Sequence, residues 1–393
     1  MSEIAIIGAG AAGCFCAIEL KRRLPSCNVA IYEAGPKPLA KVALTGGGRC
    51  NFTNSFRDVE RLEDVYPRGA KLMKRALAGF GPRDIREWFD REGVPSVVQE
   101  DQCVFPASQD AMQIVRTFER LLRELGVKIV LNRRIGSIDE LKADAVVLTA
   151  GGTSDKTLRS MLPESIDIVP TVPSLFTFKL SDKALTALMG TVAETAAASL
   201  AGTSFKASGP LLITDWGVSG PAILRLSSYA ARHLSQNNWQ GTLLVSWNGL
   251  KEEENRTLLA ALCRDNAQKM ICNTPAPGLS SRLWKHIISR AALRDDIRWA
   301  EMGSKGLSRL TNALTTDSYA ITGRARFKEE FVTCGGVALS AVNPLTLECR
   351  TRPGLYFAGE VLDIDALTGG FNLQAAWSTA MAVARAISRS GLE

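Results

Sequence analysis

The first 33 residues carry the pattern that most limits what this chain can fold into. An apolar run, EIAII at 3–7, is followed at once by GAGAAG at 8–13 and then by small and apolar residues at helical spacing. A second apolar run, NVAIYE at 28–33, ends in Glu33, 20 positions after Gly13. This order of strand, GxGxxG turn, helix, strand and acid predicts a dinucleotide-binding βαβ unit.

Each position of this fingerprint has its own physical role. Gly8 permits the tight turn, Gly10 lets the backbone touch a pyrophosphate, and Gly13 lets helix and strand pack closely. The helix N-terminus supplies backbone amide donors and the positive end of the helix dipole. We expect Glu33 to accept hydrogen bonds from adenosine ribose hydroxyls, which disfavours a 2′-phosphate there. The alternative is a glycine-rich turn without a ligand, and the fingerprint alone does not separate FAD from NAD.

Two further apolar runs also end in glycine. ADAVVLTA at 143–150 precedes Gly151-Gly152, and GLYFAG at 354–359 precedes Glu360. Continuous apolar runs of this length are typical of buried parallel strands. Ligands of doubly wound sheets gather at the carboxyl ends of the strands. Because these strands come from distant parts of the chain, the nucleotide-binding domain is predicted to be discontinuous.

The pentapeptide ALTGG occurs twice, at 43–47 and at 366–370. The flanking sequences share nothing else, which argues against an internal duplication. We interpret each copy as a glycine-rich backbone whose amides approach one flat, polar ligand. The segment after the second copy, NLQAAWSTAMAVARAI, is predicted to be a helix. Its N-terminus would suit the pyrimidine edge of a flavin, where negative charge develops on reduction.

Four motifs together resemble one known family. They are GAGAAG, LTGGGRCNFTN (44–54), GPLLITDWGVSGPAILRLS (209–227) and GLYFAGEVLDIDALTGGFNLQAAW (354–377). They resemble the YhiN/BaiN family of FAD-dependent flavoproteins, also labelled aminoacetone-oxidase-like. The resemblance implies an α/β fold, in which a glutathione-reductase-like FAD-binding Rossmann domain is interrupted by a β-rich domain and a small helical domain. It also implies an oxidoreductase whose substrate is mostly unsettled; a bile-acid ring reduction is proposed in some relatives.

The predicted domain boundaries combine these motifs with the strand and helix patterns. Residues 1–165 and 325–393 form the FAD-binding domain, 166–250 the β-rich domain and 251–324 the helical domain. A strand within 321–339 returns the chain to the FAD-binding domain. In the β-rich part, WGVSGPA at 216–222 is either a wall facing the flavin or a turn that opens a helix.

The candidate cofactor-binding residues lie in the glycine turns and at the strand ends. Asp363 is among them because related flavoproteins place an acid after this strand, although a turn acid is the alternative. The full set is Gly8, Gly10, Ala11, Ala12, Gly13, Glu33, Ala34, Lys41, Thr45, Gly46, Gly47, Gly48, Arg49, Cys50, Asn51, Ala150, Gly151, Gly152, Gly359, Glu360, Asp363, Gly369, Gly370, Phe371, Asn372 and Leu373.

Few residues are candidates for direct chemistry. Neither His233 nor His286 falls in a glycine-turn motif, which argues against a serine or cysteine hydrolase. A flavin carries the hydride chemistry itself, so the protein need not supply a nucleophile. The weak catalytic candidates are Arg49, a cation that could lie near flavin or substrate, and Cys50. For Cys50, burial as a small apolar residue is the commoner role. Without a partner cysteine, a disulfide-reductase cycle is not supported. No metal site is predicted. The sequence has no second GxGxxG unit for a separate NAD(P)H domain, so NADH or NADPH is only one option for the electron donor.

The amino-acid composition limits which binding partners and which cellular compartment are expected for the protein. The formal net charge of +7 fits a solvated surface or attraction to phosphate-bearing partners. Nine cysteines without a Cys-x-x-Cys pair predict free thiols in a reducing cytoplasm, and no apolar window predicts a membrane span. The leading hypothesis is a cytoplasmic FAD-dependent oxidoreductase acting on a small molecule, with non-covalently bound FAD. The alternatives are a nucleic-acid-associated flavoprotein of the tRNA-modifying type and a non-catalytic flavin-binding protein; the oligomeric state is not predicted.

Overall fold

The computed structural model describes residues 2–325 and 332–392, which contain eighteen strands and thirteen α-helices. The strands are β1 Glu3–Ile7, β2 Asn28–Tyr32, β3 Thr53–Asn54, β4 Ser96–Val98, β5 Cys103–Pro106, β6 Lys128–Val130, β7 Ala145–Leu148, β8 Ile168–Ser174, β9 Phe178–Leu180, β10 Val192–Ala193, β11 Ala197–Leu200, β12 Lys206–Ser208, β13 Leu211–Ile213, β14 Gly217–Ser219, β15 Gly241–Ser246, β16 Asp317–Arg324, β17 Val332–Val337 and β18 Leu355–Phe357. The helices are α1 Ala11–Arg23, α2 Thr45–Gly48, α3 Leu62–Val65, α4 Ala70–Gly79, α5 Pro82–Arg91, α6 Ala111–Glu124, α7 Asp155–Met161, α8 Lys183–Thr186, α9 Pro221–Gln236, α10 Glu252–Asp265, α11 Ser281–Arg290, α12 Gly303–Thr315 and α13 Phe371–Arg389.

The chain divides into two compact units. Unit 1 combines Met1–Val172 with Val332–Glu393, and unit 2 is Pro173–Phe331. The three-part division at residues 165, 250 and 324 stays a prediction. Of the strand predicted within 321–339, the described parts belong to β16 and β17, and residues 326–331 lie outside the described residues.

Unit 1 is built on a five-stranded parallel sheet in the order β18-β7-β1-β2-β6. The four parallel strands predicted from apolar runs are confirmed as β1, β2, β7 and β18. From β1 the chain adds β2 and then β6 on one side, and later β7 and β18 on the other. The order therefore reverses beside β1, and ligands of doubly wound sheets bind at the carboxyl ends of the strands at such a point. The predicted Rossmann-type α/β fold is confirmed.

Helices α1 and α13 pack together through aromatic side chains. The ring of Phe15 lies 5.5 Å from that of Trp377, and Phe118 stacks on the same indole at 5.7 Å. The indole N–H of Trp377 donates to the carbonyl oxygen of Phe52 at 2.8 Å. Buried aromatic pairs of this kind contribute about 0.5–1.5 kcal/mol beyond their burial. They anchor α13 to the first strand–helix unit and to the segment after the first ALTGG copy.

A small antiparallel sheet in unit 1 was not predicted from the sequence. Its order is β3-β5-β4, with Thr53 opposite Val104 and Asn54 opposite Cys103. Strand β3 comes soon after the first ALTGG copy. The small sheet therefore fixes the end of that glycine loop.

Unit 2 contains an eight-stranded antiparallel sheet in the order β10-β13-β14-β9-β16-β15-β11-β12. Along β16, Asp317, Tyr319 and Ile321 are buried while the residues between them are exposed, as expected for a sheet with one covered face. Helices α9 to α12 belong to this unit. Within residues 2–325 and 332–392, no helix has the length and apolar character needed to cross a membrane.

Candidate active site

The GAGAAG turn joins β1 to α1, and its three glycines differ in their surroundings. Gly8 has a left-handed φ of +105°, and a Cβ there would lie 2.5 Å from the carbonyl oxygen of Thr149. At Gly13 a Cβ would lie 2.0 Å from the Gly8 carbonyl oxygen. At Gly10, by contrast, a Cβ would have no atom of the described residues within 4 Å, and the φ of −83° suits any residue. Packing therefore requires Gly8 and Gly13, whereas Gly10 leaves open space beside the N-terminus of α1.

Glu33, directly after β2, is held by two backbone amides. Its Oε2 accepts a hydrogen bond from the Ala9 amide at 2.8 Å, and its Oε1 accepts one from the Gly35 amide at 2.7 Å. Ala9 lies within the GAGAAG turn, so the carboxylate is tied to that turn. Each carboxylate oxygen retains a further lone pair. The partly exposed Glu33 can therefore accept additional hydroxyl donors in a fixed position.

A cavity of about 290 Å³ opens beside Glu33. Its walls include Gly8, Glu33, Ala34 and Ala150, all candidates from the sequence. Sequence reasoning missed the remaining walls, which are Ile7, Tyr32, Arg133, Arg134, Ile135, Thr153, Ser154, Thr157 and Met161. The arginine pair comes after β6, a strand of the same parallel sheet, and this position was the signal that could have identified it.

The turns after β7 and β18 are joined through carboxylates. Glu360 Oε2 accepts from the Gly152 amide at 3.0 Å, and its Oε1 accepts from the Thr333 amide at 2.8 Å. Asp363 Oδ1 accepts from the Gly335 amide at 3.1 Å. These bonds connect the two turns to β17. Both acids thus have a structural role, and their contact with a cofactor stays a prediction.

Gly359 brings the end of β18 against α1. It has a left-handed φ of +76°, and a Cβ there would lie 2.9 Å from the Cβ of Ala12. Its amide donates to the Thr379 hydroxyl of α13 at 2.9 Å. Gly359 is therefore explained by packing between the strand end and two helices.

The first ALTGG copy forms an exposed loop, because the short segment α2 has left-handed backbone angles at Gly46 and Gly47 and is not a regular helix. Leu44 is 60% exposed, and Gly46, Gly47 and Gly48 all have left-handed φ angles. A Cβ at Gly46 would lie 2.8 Å from the Asn51 amide nitrogen. At Gly47 and Gly48 it would have nothing within 4 Å in the described part of the chain. The loop therefore presents bare backbone to open space at these two glycines.

The two weak catalytic candidates stand at the end of this loop in different environments. The Arg49 guanidinium lies 4.3 Å from the centre of the Phe105 ring, and its Nε donates to the Gly46 carbonyl oxygen at 3.3 Å. Cys50 is fully buried, and burial raises the pKa of its thiol to about 11. The thiol is therefore protonated at neutral pH, which disfavours a nucleophilic role. Arg49 is an exposed cation beside the loop, and its participation stays a prediction.

The second ALTGG copy is a packed joint. Leu367 is 5% exposed, and Gly370 has a left-handed φ of +88°. A Cβ at Gly370 would lie 2.2 Å from the Thr53 carbonyl oxygen. The Asn372 side chain accepts from the Ala366 amide and donates to the Ala366 carbonyl oxygen, both at 2.9 Å. These contacts fix the point at which α13 begins.

The two copies meet through residues 51–54, just after the first one. Asn54 Nδ2 donates to the Gly369 carbonyl oxygen at 3.1 Å, and the Thr53 hydroxyl donates to Gln374 Oε1 at 2.6 Å. With its side-chain amide oriented so that the nitrogen donates to the Thr53 and Val104 carbonyl oxygens, Asn51 accepts through its oxygen from the Gly370 amide at 3.1 Å. The prediction that both copies serve one region of the molecule is consistent with these contacts.

The candidate residues thus form two groups within unit 1. One group surrounds the carboxyl ends of β1, β2, β7 and β18, and the other surrounds the two ALTGG copies. Leu39, whose amide donates to the Ala9 carbonyl oxygen at 2.8 Å, connects the first turn to the segment containing the exposed Lys41. Fixed acceptors, an open helix N-terminus and a bare glycine loop are the features that a dinucleotide such as FAD requires. The residues present therefore fit this cofactor.

Comparison with known proteins gives matches along nearly the whole chain. A family model described as HI0933-like protein Rossmann domain matches residues 2–386. A ribosomal RNA dihydrouridine synthase from Haemophilus influenzae is 29% identical over 99% of both chains. A 3-dehydro-bile acid delta(4,6)-reductase from Clostridium scindens is 28% identical over 98% of this chain and 99% of its own. A flavocytochrome c3 fumarate reductase aligns structurally over 100% of this chain and 79% of its own, with a TM-score of 0.43 and 14% identity.

Proposed function

The chain belongs to the HI0933-like family and is an FAD-dependent oxidoreductase, and from this premise we propose that it reduces a carbon–carbon double bond conjugated to a carbonyl group. The FAD is held non-covalently in unit 1. The observation that carries the cofactor assignment is the open space at Gly10. The glycine there is required neither by its backbone angles nor by a neighbour, so its small size serves a ligand at the N-terminus of α1.

Different residues of unit 1 would hold different parts of the cofactor. The turn at Gly10 and Ala11, with the first amides of α1, would hold the pyrophosphate, and Glu33 would hold the adenosine ribose. The bare loop at Gly47 and Gly48 would leave room for the flavin end. When bound, the flavin supplies two-electron hydride chemistry. The helix dipole of α13 and the charge of Arg49 would stabilise negative charge at that end.

The substrate class rests on a chemical feature that the two relatives share. Making dihydrouridine saturates the uracil C5–C6 bond, which is conjugated to the C4 carbonyl. A delta(4,6) bond pair in a 3-dehydro steroid is likewise conjugated to a ketone. In both cases hydride adds to a carbon in conjugation with the carbonyl, and a proton completes the reduction. We extend that chemistry to this chain, with NADH or NADPH as the source of the electrons.

The reaction is tested with the intact flavoprotein. The bound flavin is reduced anaerobically with dithionite and then mixed with a 3-oxo-4,6-diene steroid, with unmodified ribosomal RNA, or with the saturated 3-oxo steroid as control. We expect reoxidation by at least one conjugated substrate, seen in the flavin absorbance, and none by the saturated ketone. Reoxidation by neither conjugated substrate would contradict the proposal, as would release of FMN in place of FAD on heating.

The cofactor site is tested separately with matched glycine variants. Gly10→Ala adds a methyl group where the protein leaves room, so we expect an unchanged melting temperature for the FAD-free protein and FAD binding weakened by about tenfold or more. Gly241→Ala in unit 2 is the control, because its Cβ would make only contacts of 3.4–4.0 Å with side chains. Equal FAD affinity in both variants would argue against a cofactor at the first turn.

A further inference from the structure

A cluster of polar side chains lies inside unit 2, where the cofactor assignment of unit 1 makes no use of it. Its members are Asp317 and Tyr319 of β16, Trp247 just after β15, and His286 and Arg290 of α11. Four of them are buried, and one third of the Arg290 side chain is exposed. Buried polar groups are costly unless they bond to one another, so the state of each group matters for the packing of α11.

Asp317 is the centre of the cluster. Its Oδ2 accepts from the Trp247 indole N–H at 3.0 Å and from the Tyr319 hydroxyl. Its Oδ1 accepts from Arg290 Nε at 2.8 Å. Arg290 also donates to the Ser318 carbonyl oxygen at 2.9 Å. Because bonds to charged groups are stronger than bonds between neutral groups, they hold the end of α11 against the start of β16.

The same bonds determine which ring nitrogen of His286 carries a hydrogen. His286 Nε2 lies 3.0 Å from the Tyr319 hydroxyl oxygen. Burial raises the pKa of Tyr319, so this hydroxyl keeps its hydrogen, which it donates to Asp317. The Tyr319 oxygen therefore accepts from His286, and the neutral imidazole carries its hydrogen on Nε2. A further proton would be added at Nδ1, which forms no hydrogen bond with the described part of the chain.

The charges around His286 come from three elements. Burial lowers the pKa of His286 from 6.5, and the carboxylates of Asp317 in β16 and Asp182 at the start of α8 oppose this shift. The guanidinium of Arg290, one turn along α11, lowers the pKa further. Both carboxylates already lie within reach of Arg290, at 2.8 Å and 3.8 Å. The folded protein therefore favours an uncharged imidazole in the cluster.

This preference gives unit 2 a dependence on pH with a definite sign. In the unfolded chain, His286 takes up a proton as the pH falls through 6.5, whereas the folded chain takes it up only at lower pH. The stabilisation from the neutral imidazole is therefore complete above pH 6.5 and is lost progressively as the pH falls below that value. Uptake of one proton changes an opening equilibrium by at most about tenfold per pH unit.

We propose that this cluster is a pH-sensitive switch, which holds α11 on β16 near neutral pH and releases it when His286 takes up a proton at Nδ1. His286 and Arg290 lie four positions apart and so share one face of α11, which means that both bonds to β16 are lost when the helix moves. Unit 1 contains none of these residues, so the flavin is expected to stay bound while α11 opens. The switch does not depend on the proposed reaction.

The test is hydrogen exchange of the α11 amides in the holoprotein at pH 7.5 and 5.5, corrected for the intrinsic exchange rate at each pH. We expect the opening equilibrium of α11 to rise severalfold at the lower pH, up to about tenfold, and that of α1 in unit 1 to change by less than about twofold. His286→Gln keeps an N–H donor for Tyr319 but cannot be protonated, so the rise should be lost. His233→Gln is the matched control, because His233 is the second of only two histidines and lies outside the cluster.

A second measurement does not require His286→Gln to fold. In His233→Gln the only imidazole Cε1–H signal in the NMR spectrum belongs to His286, and we expect it to titrate below pH 6.5. Titration at or above pH 6.5 overturns the switch. It is also overturned if exchange in α11 fails to increase at pH 5.5, increases equally in His286→Gln, or increases equally in α1.

Discussion

The two ALTGG copies have the same five residues and opposite environments. Leu44 of the first copy is 60% exposed, whereas Leu367 of the second is 5% exposed. A Cβ would meet open space at Gly47 of the first copy and would clash with the Thr53 backbone at Gly370 of the second. The first copy is thus shaped for a ligand, and the second for contact with the protein itself.

The element attached to the end of each copy explains the difference. The second copy leads into the 19-residue helix α13, and Asn372 in its first turn bonds back to both backbone groups of Ala366. The first copy leads through Gly48 and Arg49 into the two-residue strand β3 instead of a long helix. The role of a short motif therefore depends on the secondary-structure element that follows it, and its own five residues do not determine that role.

The largest expected difference between the copies is in the tolerance of their final glycines. In Gly370→Ala the new methyl group would lie 2.2 Å from the Thr53 carbonyl oxygen. We expect a loss of more than about 4 kcal/mol in the free energy of unfolding, or failure to fold, because both sides of the clash are backbone. Gly47→Ala should cost only the left-handed strain of about 1–2 kcal/mol. Urea unfolding of both variants measures the two losses in the free energy of unfolding. Equal losses would contradict the proposed difference between the two copies.

The leucines of the two copies should differ by a smaller amount. We expect Leu367→Ala to lower the free energy of unfolding by about 3 kcal/mol, because it leaves a cavity in a packed joint. Leu44→Ala should change it by no more than about 0.5 kcal/mol, as for other surface positions. Thermal unfolding of the pair is the measurement. A large loss at Leu44 would show that the first copy is also part of the core.

The buried thiol after the first copy predicts a dependence on alkaline pH. Burial raises the pKa of Cys50 from 9.0 to about 11, so the folded chain keeps this proton at pH values where the unfolded chain has lost it. The thiol's contribution is complete below pH 9 and is lost as pH rises toward 11, an effect of about 2 kcal/mol. We expect Cys50→Ser to flatten the decline in urea midpoint between these pH values. An unchanged slope would contradict burial of a protonated thiol.

The smallest effect is expected for the cation of the first copy. Arg49 stands over the Phe105 ring at 4.3 Å in an exposed loop, where such contacts are worth about 0.5–1 kcal/mol. Arg49→Gln should therefore change stability by no more than that amount. If Arg49 stabilises reduced flavin, the midpoint potential of the bound flavin should fall in the same variant. Arg57→Gln, a nearby exposed arginine, is the control and should leave the potential unchanged.

Local patterns predicted the sheet of unit 1 well. The run at residues 3–7, its glycine turn and the acid at Glu33 are a contiguous signal, because one βαβ unit is built from neighbouring residues. The same holds for the strands before Gly151 and Gly359. The fold class could be inferred from these elements and from the resemblance of four motifs to a known family.

The parts that were missed depend on contacts between distant residues. Nothing near Thr53 in the sequence indicates that its hydroxyl bonds Gln374, 321 positions away. The arginines at 133 and 134 are a short basic run in the sequence, and only the position of β6 places them beside Glu33. The different roles of Gly10 and Gly13 could be assigned from the fingerprint, but those of Gly47 and Gly370 required knowledge of the atoms opposite each Cβ position.

The joint between the ALTGG copies also sets the order of events during synthesis of the chain. Asn54 and its partner Gly369 are 315 residues apart, so at ~5–20 residues per second the ribosome needs roughly 15–60 s to make the second after the first. Throughout that interval the apolar surface that α13 covers, including Phe15, has no permanent cover. Unit 2 is continuous in sequence and can fold meanwhile. Chaperone contact with the nascent chain is therefore expected to concentrate on the N-terminal part of unit 1 and to end when α13 emerges.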